Sequence, residues 1–384
     1  MSEGVVGDLL HILQHPYVLL IIVIALAFDF VNGFHDAANC IATVVSTRVM
    51  RPIVAVIWAA WWNFAAAWFF GLHVANTVGK WVYPAYVTPE VILAGLLGAI
   101  IWDLITWHYG LPSSSSHALL GGFGGAALAY AGTFSHVVKG GKLLVTVAFI
   151  VIAPLLGMLM GWISVSVVMW LCRKLTPAKV DRRFRIVQLF TNAAYSLGHG
   201  GNDAQKTMGI ISALLFATIW KSGQADFEAE RAKIPAWIVV VCCLAIALGT
   251  MAGGWRIVKT MGMKITKLRP YGGASAELAA ATSLFVATRL GVPVSTTHTI
   301  TGAILGVGSV QRLSAVRWGV AGRVVWAWLL TIPMSAIISA ILFLPVNFLN
   351  PTPPPAEPQA ATRIVQPAPA APMPVSLHVS GTMN

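Results

Sequence analysis

Long apolar runs, separated by short polar stretches, make up most of this chain. The runs have 17 to 32 residues, and about twenty apolar residues cross the hydrocarbon core of a bilayer as a helix. The runs cover residues 16–45, 52–73, 91–110, 112–131, 143–172, 188–215, 236–255, 275–291, 293–310 and 318–349. The pattern predicts an all-α polytopic membrane protein, with five segments on either side of a polar break at 173–185.

Two polar landmarks occur twice in the same order, which indicates an internal duplication. Residues 33–37 align with 200–204 at an offset of 167, and residues 111–117 align with 292–298 at an offset of 181. Both copies of the first landmark contain Asp followed by Ala, and both copies of the second contain Pro, hydroxyl residues and His. We therefore divide the chain as follows: a first transmembrane repeat at 1–172, a basic cytoplasmic linker at 173–187, a second transmembrane repeat at 188–349, and a disordered Pro-rich tail at 350–384.

The charges are few and are distributed unevenly between the two sides of the predicted bundle. Only 10% of residues are charged, against about 25% in a soluble domain. The net charge of +12 does not indicate nucleic-acid binding, because the basic residues fall between the apolar runs. Sixteen of the 25 Lys and Arg residues lie on the side of the 173–185 break and six on the other. By the positive-inside rule this predicts that both termini face away from the cytoplasm and that the second repeat is inverted.

Each half also contains two apolar runs that only one residue separates, Leu111 in the first half and Val292 in the second. A break this short predicts a re-entrant helical hairpin with its tip inside the membrane. Pro112 and Pro293 suit the first turn of the returning helix. A helix N-terminus with hydroxyl donors can bind a tetrahedral oxyanion, whereas the alternative is that the hydroxyls only satisfy broken backbone. The candidate substrate-binding residues are these tip hydroxyls together with two amides and a lysine of the Asp-bearing stretches: Ser113, Ser114, Ser115, Ser116, Ser295, Thr296, Thr297, Asn39, Asn202 and Lys206.

The aspartates Asp36 and Asp203 occupy equivalent positions in glycine-flanked polar stretches. We expect the first helix of each repeat to be broken there, so that carbonyls turn inward beside Asn39 and Asn202. Carboxylate, amide and carbonyl oxygens together suit Na⁺, and a carboxylate alone suits H⁺. The alternative is a structural clamp between an aspartate and a buried lysine such as Lys206, three residues after Asp203.

Other ionisable residues in the apolar runs are secondary candidates. His35, His117, His199 and His298 could relay protons or could be hydrogen-bonded core histidines. Glu277 lies in the segment that leads to the second tip and is a candidate for cation coupling. Lys206 and Arg289 could supply positive charge to an anion, or could pair with Asp203 or Glu277.

The stretches 33–39, 198–206, 111–117 and 292–298 together resemble the signature motifs of the inorganic phosphate transporter (PiT) family, and the resemblance covers about residues 16–345. It implies a bacterial symporter that imports phosphate with H⁺ or Na⁺, with substrate at the hairpin tips and cation beside the aspartates. It also implies that phosphate can travel as a metal complex. Sodium-coupled eukaryotic members carry a glutamate where this chain has Asn63. That departure favours H⁺ over Na⁺.

Three other functions fit parts of the pattern. Relatives that move sulfate leave the oxyanion open. A passive anion channel would not need coupling carboxylates, and an intramembrane hydrolase would need one asymmetric site, whereas the candidates here occur in pairs. We therefore expect a transporter of the inner membrane that is not an enzyme. Its partners would be inorganic phosphate and the lipid bilayer, without nucleic acid, resident metal or other cofactor; homo-oligomerisation stays open.

Overall fold

The computed structural model describes Gly7 and residues 10–134, 137–220 and 234–352, and all of the regular structure in these ranges is helical apart from a single β-bridge. The disorder predicted for the tail concerns residues that lie almost entirely outside these ranges. In the first half the helices are α1 (Pro16–Ser46), α2 (Pro52–Ala65), α3 (His73–Gly79), α4 (Pro89–His108), α5 (Ser115–Ala131) and α6 (Gly140–Leu171).

The second half repeats this series. Its helices are α7 (Pro177–Thr218), α8 (Ala236–Ala252), α9 (Trp255–Lys259), α10 (Pro270–Arg289), α11 (Thr296–Gln311) and α12 (Trp318–Leu349). Counterparts agree in length, with 20 residues in both α4 and α10 and 32 in both α6 and α12. Short 3₁₀ turns at Ala66–Trp68, Pro84–Tyr86 and Leu313–Ala315 and a π turn at Thr260–Lys264 complete the connections.

The prediction of a multi-span membrane protein is confirmed. In the described ranges α1, α4, α6 and α12 are each long and apolar enough to cross a bilayer. Two bent pairs can form two more spans, α2 with α3 and α8 with α9 and its π turn. The long α7 is not among these helices, because its 42 residues include the polar centre of the molecule.

The prediction of a broken first helix is wrong. Both α1 and α7 run without interruption through their aspartates. The glycines serve close helix packing instead: a Cβ on Gly33 would lie 2.1 Å from Ile246 O in α8, and one on Gly200 would lie 2.5 Å from Asn63 O in α2. The bends occur at the second helix of each half, by 85° between α2 and α3 and by 61° between α8 and α9.

The hairpins α4–α5 and α10–α11 pack against the opposite half of the chain. The first lies on α12 and the second on α6, while α1 and α7 cross at the centre. Trp328 of α12 donates from Nε1 to Pro112 O at 2.9 Å, which fixes the first tip to the last helix. Each tip is therefore held by a helix from the other half.

The connecting segments form two separate rims, and each rim unites segments that the charge pattern places on one side. On the basic rim Arg269 bonds Asp181 at 2.5 Å, which raises the pKa of the guanidinium, and Arg317 N donates to Ile265 O at 3.0 Å. On the opposite rim Lys139 N donates to Trp81 O at 3.0 Å. These contacts agree with the predicted grouping of the segments, and which rim faces the cytoplasm stays a prediction.

Candidate functional site

The two hairpin tips are built from the same local structure. Gly110 and Gly291 end α4 and α10 in the left-handed region, with φ of 63° and 69°, which glycine adopts readily. An extended segment follows, and the next helices begin at Ser115 and Thr296. The expectation that Pro112 and Pro293 occupy the first helical turn is therefore wrong.

Serine caps decide where the returning helices begin. Ser114 accepts a hydrogen bond from His117 N, and Ser295 accepts one from His298 N, each at 3.2 Å. A serine in this position satisfies one of the free N–H groups of the first turn, so the helix starts just after it rather than at the proline. The remaining hydroxyls of the tips point towards α1 and α7.

Each aspartate contacts the tip of its own half. Ser115 Oγ lies 2.9 Å from Asp36 Oδ2, and Thr296 Oγ1 donates to Asp203 Oδ2 at 3.0 Å. Asp36 and Asp203 are 2% and 0% exposed, so both carboxylates depend on protein partners, these hydroxyls among them, rather than on water. The offset of 167 pairs Asp36 with Asp203, and the offset of 181 pairs Ser115 with Thr296, so the two contacts are equivalent.

A second pair of contacts crosses between the halves. Asn39 of α1 donates from Nδ2 to Thr297 Oγ1 at 2.9 Å, at the second tip. Lys206 of α7 donates from Nζ to Ser116 Oγ at the first tip, and also bonds Asp203. These two residues are equivalent by the offset of 167, and each bonds the tip of the opposite half. Two further contacts involve the same groups: Thr297 Oγ1 lies 3.5 Å from Asp36 Oδ2 across the halves, and Lys206 Nζ donates to Val294 O of its own half at 3.0 Å.

Histidines contact both carboxylates, but from positions that the duplication does not relate. His35 Nδ1 lies 2.7 Å from Asp36 Oδ1, and His199 Nε2 lies 3.2 Å from Asp203 Oδ2. One ligand atom each from Asp36, His199 and Asp203 lies within 4.8 Å of the other two. The buried side-chain oxygens of Asn39 and Asn202 have no hydrogen-bond partner. Together these groups offer a cation several oxygens and one imidazole nitrogen.

Outside this cluster the structure places the other candidates differently. Glu277 accepts hydrogen bonds from four neutral donors, none of which contacts Asp36 or Asp203: Thr43, Gln188, Thr191 and Asn192. Arg289 is exposed and forms no ion pair with Asp203 or Glu277. The ring centroids of His117 and His298 lie 4.8 Å apart, and neither residue is among the histidines that pair with Asp36 or Asp203 in the described ranges.

Two threonines of the site are missing from the sequence prediction. Thr106 Oγ1 lies 3.0 Å from His35 Nε2 and accepts from Ser113 Oγ at 2.8 Å. Its counterpart Thr288 accepts from Asn202 Nδ2 at 3.0 Å. Both threonines lie in the last turns of the helices that lead to the tips, but at a mutual offset of 182 rather than 181. The alignment of the second landmark, extended backwards, pairs Thr106 with Ala287 and so does not by itself reveal Thr288.

Comparisons with known proteins agree with this architecture. Residues 32–339 match the family described as the phosphate transporter family. The chain is 54% identical to a probable low-affinity inorganic phosphate transporter of Rhizobium meliloti, over 88% of this chain and 98% of that one. It is 44% identical to one of Bacillus subtilis, over 86% and 97%. A solved structure described as the sodium-dependent phosphate transporter superposes with a TM-score of 0.76 at 25% identity, covering 87% of this chain and all of that one.

Proposed function

Because this chain belongs to the phosphate transporter family, we propose that it imports inorganic phosphate across the bacterial inner membrane by cation symport, with H⁺ favoured over Na⁺. The observation that carries the proposal is the mirrored pair of contacts from Ser115 to Asp36 and from Thr296 to Asp203. Each contact joins an anion-binding element to a carboxylate, which couples the two binding events.

The anion would bind between the two tips. The capped N-termini of α5 and α11 present their positive dipole ends and hydroxyls there, in the manner of other phosphate-binding helix termini. Bringing a phosphate into a buried site without compensating charge would be very costly. A cation at the carboxylates supplies that compensation, so phosphate and cation bind most favourably together.

Two features favour H⁺ as the coupling ion. A histidine contacts each carboxylate and can exchange a proton with it. Asn63, at the position that is a glutamate in sodium-coupled eukaryotic members, is neutral, and it donates to Thr250 at 2.9 Å while its side-chain oxygen lies 3.2 Å from His199 Nδ1. The solved relative is described as sodium-dependent, which makes Na⁺ the alternative that the experiment must separate.

The proposed architecture is a pair of inverted repeats with re-entrant hairpins, in which one unit rocks against the other around the tips. Both termini would lie outside the cytoplasm. Single cysteines at 181 and 264 should be labelled from the cytoplasmic side, and one at 352 from the other side. Labelling of positions 181 and 352 from the same side would contradict this topology.

The direct test is uptake of radiolabelled phosphate into proteoliposomes, with a pH gradient or a sodium gradient imposed alone. We expect accumulation above equilibrium with the pH gradient, and competition by excess unlabelled phosphate but not by sulfate. Accumulation with sodium alone would keep phosphate and replace the coupling ion. Equilibration without accumulation under both gradients would indicate a channel. Adding Mg²⁺ tests whether phosphate crosses as a metal complex, because labelled metal should then enter with it.

A further inference from the structure

Lys206 is buried in the centre of the molecule, with 1% of its surface exposed. Its ammonium has three N–H donors and meets three acceptors: the Asp203 carboxylate, Ser116 Oγ, and Val294 O at 3.0 Å. An ammonium has no further donor to offer once these three bonds are made. In this structure Lys206 therefore has no donor left for a substrate anion, although its charge had made it a candidate anion ligand.

The acceptors around this ammonium are those of a small-cation site. A carboxylate, a hydroxyl and a backbone carbonyl converge on one positive centre, and oxygen ligands of these kinds hold hard cations in proteins. The three groups come from three elements, α7, the first tip and the segment before α11. The ammonium thus connects both tips to α7, as a bound ion would.

The equivalent position in the first half has no such charge. Asn39 stands where Lys206 stands in the second half, and it donates to Thr297, the counterpart of Ser116. Asp36, the counterpart of Asp203, has no lysine or arginine partner among the ion pairs of the described ranges. The side-chain oxygen of Asn39 is buried and unpaired, so this half offers oxygens without a tethered cation.

We propose that the Lys206 ammonium is a resident cation that permanently fills one of two equivalent cation sites, so that a mobile cation binds only at the other site, beside Asp36. The inference about the mobile cation rests on the proposed function, whereas the assignment of the Lys206 ammonium as a resident cation does not. Filling one site with a tethered charge lowers by one the number of mobile cations required for each phosphate.

The test removes the side chain and asks whether a free cation takes its place. Purified Lys206→Ala protein is titrated with NaCl at constant ionic strength against choline chloride, and its thermal unfolding is recorded without phosphate. We expect a saturable stabilisation by Na⁺ beyond that of the unchanged protein, because an ion that binds only the folded state raises its stability. The matched control, Lys206→Ala with Asp203→Asn, lacks the carboxylate of the site and should not show the additional stabilisation.

Lys206→Asn is the second variant, because it places at 206 the side chain that the fold already holds at 39. Folding of either variant in NaCl but not in choline supports the proposal. Failure of both variants to gain Na⁺-dependent stabilisation, or failure of both to fold in either salt, would overturn it.

Phosphate uptake gives the second measurement. In choline medium we expect Lys206→Ala to take up phosphate at least about tenfold more slowly than the unchanged protein, with recovery in Na⁺, because a lost bond to a charged group is worth about 1.5–3 kcal/mol. Loss of phosphate binding that no cation restores, in a folded variant without added Na⁺ stabilisation, would make Lys206 an anion ligand instead. If the unchanged protein moves no phosphate while the variant gains Na⁺ stabilisation, the proposed function fails and the resident cation stands.

Discussion

The surroundings of Asp36 and Asp203 have the same framework but carry different charges. Each aspartate receives a hydroxyl from its own tip, and each is followed three positions later by a residue that bonds the opposite tip. At the first site that residue is a neutral asparagine, and at the second it is a lysine that also pairs with the aspartate. The two halves therefore share the geometry, while the difference between Asn39 and Lys206 gives the two aspartates different electrostatic surroundings.

The largest expected effect comes from neutralising either carboxylate. Asp36→Asn and Asp203→Asn should each abolish concentrative phosphate uptake, because in the proposed mechanism Asp36 holds the mobile cation and Asp203 holds its tethered substitute, the Lys206 ammonium. Proteoliposome uptake under an imposed pH gradient measures this. Asp181→Asn, on the basic rim, is the control and should transport normally, since exposed ion pairs contribute about 0–1 kcal/mol. Uphill uptake by both site variants would contradict the coupling mechanism.

The Asp36→Asn and Asp203→Asn variants should differ in their free energy of unfolding. Asp203→Asn leaves the buried Lys206 ammonium without its carboxylate, and breaking a buried ion pair typically destabilises a protein by about 3–5 kcal/mol. Asp36→Asn leaves no lysine unpaired and should be clearly less destabilising. Thermal unfolding in matched detergent measures the difference. Equal loss of stability in the two variants would contradict the proposed difference in charge between the surroundings of Asp36 and Asp203.

The tip hydroxyls should have the next largest effect. In this structure both hydroxyls donate to protein acceptors, and in the proposed mechanism a cation at the carboxylates frees them for phosphate. Ser115→Ala and Thr296→Ala should therefore each weaken phosphate binding by about 10-fold to 150-fold, the range for a lost hydrogen bond to a charged group at about 1.5–3 kcal/mol. The mirrored geometry predicts similar losses at the two tips, seen mainly as a higher apparent KM. Thr296→Ser keeps the hydroxyl and should restore most of the affinity. Unchanged affinity in both alanine variants would mean that the hydroxyls only support the backbone.

The smallest expected effect belongs to the outer threonines. At nearly constant volume, Thr106→Val removes the contacts with His35 and Ser113, and Thr288→Val removes the bond from Asn202. A neutral hydrogen bond contributes about 0.5–1.5 kcal/mol. We expect roughly twofold to tenfold slower uptake in each case. The first variant should have the larger effect, since Thr106 contacts both His35 and Ser113 while Thr288 contacts Asn202. The uptake assay with both variants at equal surface density decides this.

The repeated polar motifs gave correct predictions about which residues lie at equivalent positions. The glycines beside the aspartates gave a wrong one, because glycine is found both in unwound helices and at close helix contacts. Two repeated landmarks were enough to predict the duplication and to pair Asp36 with Asp203 and Ser115 with Thr296. Glycines beside a buried aspartate fit an unwound helix as well as a close helix crossing, and only the position of Ile246 against Gly33 decides between them. Sequence could not show that each tip rests on the final helix of the other half, because such contacts join segments far apart along the chain.

Because each hairpin packs on the last helix of the other half, the order of synthesis affects the two hairpins differently. Residues 89–131, which form α4 and α5, leave the ribosome long before residues 318–349, which form the α12 that covers them. The second hairpin meets no such delay, because α6 has already been synthesised. The first tip, with its buried serines, must therefore be sheltered in the bilayer until translation is almost complete. A truncation before α12 should then leave the early hairpin exposed to quality-control proteases, even though its own sequence is intact.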